Sequence, residues 1–447
     1  MGNKDNKTAK LHRHHMSVKW HDIVRNDSDI PATGSELKEK TSLVGRIGSM
    51  LLSVGTSAWR VRAAMNKVSR ELGISCNANI GLLTLTFTCF YKENHYSQTI
   101  SLPNTGINTD KLMDLEAFLD GFHEYASQYS VEQIHNILDK IDAKKHNYNT
   151  WQTALAAAFA CWAFTFLLGG GAVEMIGAFL GAGSGCFVRK LLLDRKISLL
   201  PNVAIGVAVA CVIYVAAILF GEHFCDLAST HHAGYICAML FIIPGFPLIT
   251  GGIDLAKLDL RSGLERITYA ILIITVATMV GWVAAMIFDF NPADFPELSI
   301  STPMLILFRT IASFVGVYGF SLMYNSTHKM ALTAACIGTV ANVLRLQIMD
   351  TFDIHIALAA FICATIAGLL ASIVDKHIGL PRISLTVPSI VIMVPGLFMY
   401  KAIYYIGLND ISTGSLWLFK ALMTVIALPL GLVFARCLTD TDFRHCS

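Results

Sequence analysis

Two apolar stretches of the sequence, "FIIPGFPLITGGIDL" (Phe241–Leu255) and "IVIMVPGLFMYKAIYY" (Ile390–Tyr405), each contain a Pro-Gly pair near the centre. Proline lacks a backbone N–H, and its ring clashes with the carbonyl group four residues earlier, so each pair predicts a break in a helix that would otherwise continue. In an apolar layer, freed backbone groups are tolerated only where protein or a water-filled cavity surrounds them. Two breaks of the same kind therefore point to a shared role.

The composition is typical of an integral membrane protein. Of the 447 residues, 54% are hydrophobic and only 15% are charged, which is too apolar for a soluble chain of this length. The apolar runs are concentrated after about residue 150. No basic stripe with interleaved aromatic residues is present, so nucleic acid is not expected as a partner.

The changes in composition along the chain predict five parts and a mainly α fold. They are a disordered polar tail (1–38), a cytosolic α+β domain (39–148), a first five-helix membrane half (149–290), a second five-helix membrane half (300–438) and a short cytosolic tail (439–447). In the cytosolic domain, apolar residues at helical spacing predict one amphipathic helix from Ile47 to Leu72. A β-hairpin is expected between Ile80 and Leu102. Further helices are expected from Asp110 and Val131, the second preceded by a Ser-x-x-Gln capping box.

About ten segments are long and apolar enough to span a membrane. They lie near residues 151–168, 171–188, 201–221, 233–253, 264–288, 303–324, 329–345, 354–375, 385–406 and 415–436. With a cytoplasmic amino terminus, nearly all loop Lys and Arg residues fall on the cytoplasmic side, and only Arg345, at a helix end, departs from this pattern. We therefore expect a multi-pass protein of the cell (plasma or inner) membrane with both termini in the cytoplasm.

The two Pro-Gly pairs fall in the fourth and ninth predicted spans, five spans apart. An odd number of spans per half turns the second half upside down, which predicts two inverted repeats with broken helices in matching positions, as in secondary transporters. Helices that restart after Pro244-Gly245 and Pro395-Gly396 would direct two positive dipole ends toward the membrane centre, which suits a carboxylate. The alternative is that these prolines only kink their helices.

Three ionisable residues within the apolar segments are candidates for function, because a charge in lipid is costly. Glu174 and Arg309 are placed at similar depth, so they are expected to form a gating ion pair, or Glu174 takes up a proton and couples transport to the proton gradient. The alternative is that both side chains reach the membrane surface by snorkelling. Lys401, after the second break, offers a cation to an acidic substrate. The loosely spaced histidines of the tail and of the loop after the third span do not predict a metal site.

Four stretches resemble the threonine/serine exporter family, whose members join a cytosolic amino-terminal domain to two five-helix membrane halves. They are "LLSVGTSAWRVRAAMNKVSRELGI", "IPGFPLITGGIDLAKLDLRSGLERI", "ALTAACIGTVANVLRL" and "TVPSIVIMVPGLFMYKAI", and the resemblance covers most of residues 43–436. In some bacteria the two halves resemble separate partner proteins associated with succinate export. The resemblance implies efflux of a small carboxylate-bearing metabolite. The positions that match the family as pathway candidates are Pro244, Gly245, Pro247, Asp254, Pro395 and Gly396. Asp254 is expected in a loop at the cytoplasmic mouth.

The sequence therefore predicts a secondary active exporter of threonine, serine or a related small carboxylate, driven by the proton motive force, working by alternating access at a midplane site. Its partners would be that substrate, protons and the lipid bilayer, with room for a homo-oligomer, and no bound cofactor or metal is expected. One alternative is a dicarboxylate exporter of the succinate type. Another is a membrane-anchored sensor or scaffold that acts through the cytosolic domain. No catalytic constellation occurs in the spans, so an enzyme is not expected.

Overall fold

A computed structural model describes residues 18–24, 30–225, 231–290, 295 and 300–445. The chain forms two compact units, residues 1–145 with 257–265, and residues 146–256 with 266–447. The predicted disorder of residues 1–38 falls partly on 1–17 and 25–29, which lie outside the described residues.

The amino-terminal residues that are described do form local structure. Short 3₁₀ turns occupy His21–Ile23 and Ala32–Gly34. The imidazole of His21 hydrogen-bonds to the carboxylates of Glu132 and Asp139 at 2.7 and 2.8 Å. Side-chain partners distant in the sequence therefore hold a segment whose composition alone predicts disorder.

The first unit is an α+β arrangement with a small sheet. Its elements are α1 (Leu37–Ser53), α2 (Ala58–Glu71), β1 (Ser75–Ile80), β2 (Thr84–Tyr91), β3 (Asn94–Ser101), α3 (Thr109–Asp120), α4 (Phe122–Gln128) and α5 (Val131–Asp142). The strands pair antiparallel in the order β1-β2-β3. The predicted hairpin is confirmed as β2 and β3, and the predicted capping box is present, with Ser130 and Gln133 bonded reciprocally.

The prediction of one helix from Ile47 to Leu72 is wrong, because α1 and α2 are separate helices. Gly55 between them has φ +88°, a conformation that glycine adopts without strain. A Cβ atom at this position would lie 2.6 Å from the carbonyl oxygen of Gly106. The apolar spacing continues through the turn because both helices bury their apolar faces, so periodicity alone did not reveal the break.

Helix α1 covers one face of the sheet and forms the core of the first unit. Leu43, Ile47 and Leu51 are fully buried. A Cβ atom on Gly45 would lie 2.4 Å from the ring of Phe87 on β2, so a glycine is needed for the close approach of helix and strand. Strand β1 was not predicted, because its sequence, SCNANI, contains few of the residues that favour strands.

Residues 257–265 belong to the first unit through ion pairs and hydrogen bonds. The guanidinium of Arg62 on α2 binds both carboxylate oxygens of Asp259, at 2.9 and 2.5 Å. The backbone N–H of Leu82 donates to the carboxylate of Glu265 at 2.6 Å. The first unit is therefore assembled from two segments of the chain separated by more than 100 residues.

The second unit consists of helices, most of which are long and apolar. They are α6 (Thr150–Leu167), α7 (Ala172–Asp194), α8 (Leu199–Cys225), α9 (Tyr235–Ala238), α10 (Gly245–Ala256), α11 (Leu260–Phe288, whose first turn belongs to the first unit), α12 (Thr302–Met323), α13 (His328–Phe352), α14 (Ile356–Ile378), α15 (Arg382–Val391), α16 (Gly396–Gly407), α17 (Ile411–Thr439) and α18 (Thr441–Arg444). Within the described ranges, eight helices are long and apolar enough to cross a membrane, and two bent helix pairs bring the number to as many as ten.

Small residues allow neighbouring helices of the second unit to pack closely. Gly181 and Gly185 on α7 face the backbone of α8, where an added Cβ would lie 2.6 Å from the carbonyl oxygens of Ala210 and Gly206. Spacing of four places both glycines on one helix face. The contact between α7 and α8 is therefore built from backbone rather than from large side chains.

A buried histidine on α5 gives the first unit a pH-dependent stability. His135 Nε2 lies 3.0 Å from the Ser42 hydroxyl, and the Arg46 guanidinium donates to the His135 carbonyl oxygen at 2.9 Å. Burial, and next the positive charge of Arg46, lower the pKa of His135 from 6.5 to about 3. Between these values the unfolded chain binds a proton that the folded chain does not, so stability falls as the pH falls.

We predict that His135→Gln removes this dependence, which for one proton amounts to about 1.4 kcal/mol per pH unit between pH 6.5 and 3. His21, whose pKa is raised by hydrogen bonds to Asp139 and Glu132, is protonated in both states over most of this range. Hydrogen exchange of α1 and α5 peptides in the full-length chain, corrected for intrinsic rates, measures the slope. His123→Gln, at an exposed site, is the control, and equal slopes in both variants would contradict the prediction.

Candidate functional site

The two Pro-Gly pairs form breaks of the same local structure. The segments Tyr235–Ile242 and α10 meet at 55°, and α15 and α16 meet at 47°. In each break the glycine N–H donates to the carbonyl oxygen two residues earlier at 2.8 Å, across the proline. Pro395 has φ −82° and ψ 54°, which is close to an inverse γ-turn. The predicted interruption of both helices is therefore confirmed, and each is a sharp turn at the proline.

The backbone hydrogen bonds around the first break have counterparts at equivalent positions around the second break. Ile243 N–H donates to Leu240 O at 3.1 Å, and Val394 N–H donates to Val391 O at 3.0 Å. After each proline the first helical bond returns to the proline carbonyl, at 3.2 Å for Pro244 and 3.1 Å for Pro395. The same bonds recur with a constant offset of 151 residues.

The two breaks also pack against each other, and the contact is reciprocal. A Cβ on Gly245 would lie 2.4 Å from Val391 and 3.3 Å from Val394. A Cβ on Gly396 would lie 2.8 Å from Leu240 and 3.2 Å from Ile243. Val391 and Val394, which contact Gly245, lie 151 residues after Leu240 and Ile243, which contact Gly396. Such an exchange of equivalent contacts is the pattern of a local two-fold axis. Only glycine fits at either position without displacing the opposite break.

The space next to the breaks is apolar. A small cavity is bordered by the break residues together with Phe164 on α6 and Phe320 on α12. We expected the restarting helices to present their amino termini to a carboxylate, but the residues that line this cavity offer hydrophobic side chains. Pro247 lies in the first turn of α10, where its missing N–H leaves one donor fewer for an anion.

A buried hydroxyl pair connects the two broken spans. The hydroxyl groups of Tyr235 on α9 and Tyr400 on α16 hydrogen-bond to each other, and their rings meet edge to face at 5.6 Å between centroids. Both side chains are buried. The sequence interpretation did not single out either tyrosine, since an aromatic residue in an apolar helix is most often part of the core.

Asp254 lies in α10 and not in a loop, which corrects the expectation. Its carboxylate accepts from Nε of Arg266 on α11 at 3.1 Å, and the two residues are 0% and 2% exposed. Arg266 Nη1 also lies 3.4 Å from the Thr250 hydroxyl. Burial of both charges requires this pairing, because an unpaired charge in an apolar interior is strongly unfavourable. The Ser-Gly-x-x-Arg stretch contained the partner, but sequence spacing did not reveal the pair.

The predicted ion pair between Glu174 and Arg309 is wrong. Glu174 lies in the first turn of α7, where its carboxylate turns back and accepts from the Gly171 N–H at 2.9 Å. Its other oxygen lies 2.7 Å from Nδ1 of His231, one of the histidines after the third predicted span. Arg309 on α12 instead pairs with Asp350 on α13.

Glu174 and His231 form an enclosed pair of titratable groups. Glu174 is 2% exposed, and the Tyr214 hydroxyl donates to the His231 carbonyl oxygen at 2.7 Å. A carboxylate and an imidazole joined by a hydrogen bond can exchange a proton. This arrangement makes Glu174 a candidate proton acceptor, although its partner differs from the predicted one.

Lys401 is buried on α16, where its ammonium group lies over an aromatic ring. Its Nζ atom is 4.7 Å from the ring centroid of Trp417 on α17, and Lys420 approaches the same ring at 4.7 Å. Such cation–π contacts stabilise a partly desolvated ammonium group. Among the residues that the structure describes, no three His, Cys, Asp or Glu side chains group closely enough to hold a metal ion.

Comparison with known proteins gives relatives over most of the chain. A probable threonine/serine exporter of Mycobacterium tuberculosis is 22% identical over 88% of this chain and 75% of its own length. Subunits named "Probable succinate transporter subunit YjjP" from Klebsiella aerogenes and Escherichia coli are 24% and 23% identical, over 57% and 55% of this chain and 96% and 93% of their own. No solved structure is significantly similar.

Two family profiles divide the chain between them. The profile described as "Putative threonine/serine exporter" matches residues 42–288, more than half of the chain. The profile "Threonine/Serine exporter, ThrE" matches residues 309–438. Together they include most of α1, all of α2 to α5, both breaks and the Asp254–Arg266 pair. The chain is therefore a multi-pass membrane protein that belongs to the threonine/serine exporter family.

Proposed function

We propose that this protein is a secondary active exporter of threonine, serine or a related small carboxylate-bearing metabolite. It works in the cell membrane by alternating access between two inverted five-helix halves, with both termini cytoplasmic. The reciprocal packing of the two Pro-Gly breaks is the observation that supports this most directly. A local two-fold relation between breaks five spans apart is what inverted repeats generate.

The apolar contact between the breaks fits one closed stage of such a cycle. Broken helices provide short segments that tilt without bending a whole span, because the hydrogen-bond ladder is already interrupted at the turn. When the Gly245 and Gly396 turns separate, backbone groups at the helix starts become available to a polar substrate. The pathway candidates Pro244, Pro247 and Pro395 fix where this separation occurs.

The experiment that tests this function is counterflow in proteoliposomes that contain the full-length chain. We predict that labelled threonine or serine accumulates against the unlabelled substrate and that an imposed pH gradient changes the rate of net flux. Succinate in a parallel assay tests the dicarboxylate alternative, which the names of the succinate transporter subunits favour. Failure of all three substrates to move would contradict the proposal.

We propose that Asp254 and Arg266 form a charged pair that opens during transport. Asp254→Asn leaves the Arg266 guanidinium buried without a carboxylate, which should lower stability by about 3–5 kcal/mol. The double variant Asp254→Asn with Arg266→Gln should recover much of that stability but not the flux. Thermal unfolding and counterflow are measured on the same preparation.

The control for this pair is Asp440→Asn, which removes the partly exposed partner of Arg436 and should change stability by at most about 1 kcal/mol. If the double variant regains both stability and flux, Asp254 and Arg266 serve the fold alone and have no part in the transport cycle.

We propose that Glu174 couples transport to protons through its contact with His231. Glu174→Gln keeps the hydrogen-bonding shape but cannot take up a proton. Counterflow, which needs no net proton movement, should persist in this variant, while the response of net flux to a pH gradient disappears. Asp350→Asn, at the half-exposed partner of Arg309, is the control and should retain the response. A Glu174→Gln protein that still responds to the gradient would rule out this role.

A further inference from the structure

Arg345 on α13 is a buried arginine that forms no ion pair with any described residue. It is 9% exposed, and its Nε atom is buried without a hydrogen-bond partner among the described residues. Arg266 and Arg309, in contrast, each bind a carboxylate. An arginine within a membrane helix costs at least about 2.5–3.5 kcal/mol, so a buried arginine without an anionic partner among the described residues is a candidate ligand-binding residue.

A second polar group beside Arg345 also lacks part of its hydrogen bonding. Asn342 lies three residues earlier on α13, on the same helix face. Its amide nitrogen donates to the Ser313 hydroxyl at 2.8 Å. Its carbonyl oxygen is buried and has no hydrogen-bond partner within the described ranges. This face therefore presents a cationic donor and a neutral acceptor next to each other.

The face that holds these two residues packs against the second broken span. Gly338, Asn342 and Arg345 follow each other at spacings of four and three. A Cβ on Gly338 would lie 2.8 Å from the carbonyl oxygen of Ser389 on α15. The Ser389 hydroxyl also donates to the carbonyl oxygen of Ala334 at 2.9 Å.

Arg345 and the second break lie on the same side of the contact between α13 and α15. Short connections at residues 353–355 and 379–381 join α13 to α14 and α14 to α15, so α13 and α15 run in the same direction. Seven residues separate Gly338 from Arg345, a rise of about 10 Å along the helix. Helix α15 ends at Val391, two residues beyond Ser389, so Arg345 and the second break both lie beyond Ser389 in the direction in which α13 and α15 run.

We propose that Arg345 and Asn342 form the binding site for the α-amino-acid group of the substrate. The Arg345 guanidinium pairs with the carboxylate, and the Asn342 carbonyl oxygen accepts a hydrogen bond from the α-ammonium group. An ionised dicarboxylate has no donor for that oxygen, so this site favours an amino acid over succinate. The inference rests on the proposed function and adds to it the residues that recognise the substrate.

Equilibrium binding to the purified full-length protein tests the site, with the rise in melting temperature as the readout for threonine, threoninamide and succinate. The wild type should bind threonine more tightly than threoninamide, which lacks the carboxylate, and more tightly than succinate. Arg345→Gln should weaken threonine binding by about tenfold or more, the loss of one charge-assisted pair, and should no longer distinguish threonine from threoninamide. Arg345→Lys should retain part of the preference. Arg436→Gln, at the arginine paired with Asp440, is the control.

Unchanged threonine affinity in Arg345→Gln would overturn the proposal, as would a wild type that binds threoninamide as tightly as threonine. The wild-type comparison and Arg345→Lys decide the question even if Arg345→Gln does not fold. Binding without flux in proteoliposomes would refute the transport function and leave the site standing, so the two failures are distinguishable.

Discussion

A helix that ends within an apolar layer must have its freed backbone groups covered, and in this protein each break is covered by the other. Ile243 and Leu240 fill the space over Gly396, and Val394 and Val391 fill the space over Gly245. This reciprocal contact explains why both pairs are Pro-Gly: the proline sets the turn, and the glycine leaves room for the opposite turn. Because the two breaks pack against each other, we expect a change at one break to affect the other, which is the coupling that the proposed alternating access requires.

The buried charged residues of the second unit differ in their partners. Asp254 and Arg266 are paired, Glu174 is hydrogen-bonded to His231, and Arg345 has no anion among the described residues. A transporter that moves a carboxylate with protons needs one group to bind the anion and another to bind the proton. This distribution of partners is the basis of the separate roles that we propose for Glu174 in proton coupling and for Arg345 in binding the substrate carboxylate.

The features that sequence predicted here are those fixed by local chemistry. A proline followed by glycine in the middle of an apolar run favours a helix break, so both breaks were predictable, although Pro388 and Pro429 alone lie inside continuous helices. The capping box at Ser130 follows from residues three positions apart. The errors concern contacts between distant residues. Glu174 and Arg309 have similar predicted depth, but depth does not determine which helices are neighbours, and nearer partners satisfied each charge. Asp254 looked like a loop residue because its partner, Arg266, is separated from it by a polar turn. In the sequence, Arg345 is notable only as the exception to the placement of Lys and Arg on the cytoplasmic side. Its interpretation as a binding residue depends on its burial, which the sequence does not show.

The contact between the breaks can be tested by a double-mutant cycle at Gly245 and Val391, with counterflow and thermal stability as readouts. A methyl group added by Gly245→Ala meets Val391, so flux should fall, and the second change Val391→Ala should restore it, with an interaction energy of about 0.5–3 kcal/mol. Gly206→Ala, where the added Cβ would make ordinary contacts at 3.4 Å, should leave flux unchanged. Strictly additive effects of the two substitutions would show that the breaks do not act on each other and would contradict the account.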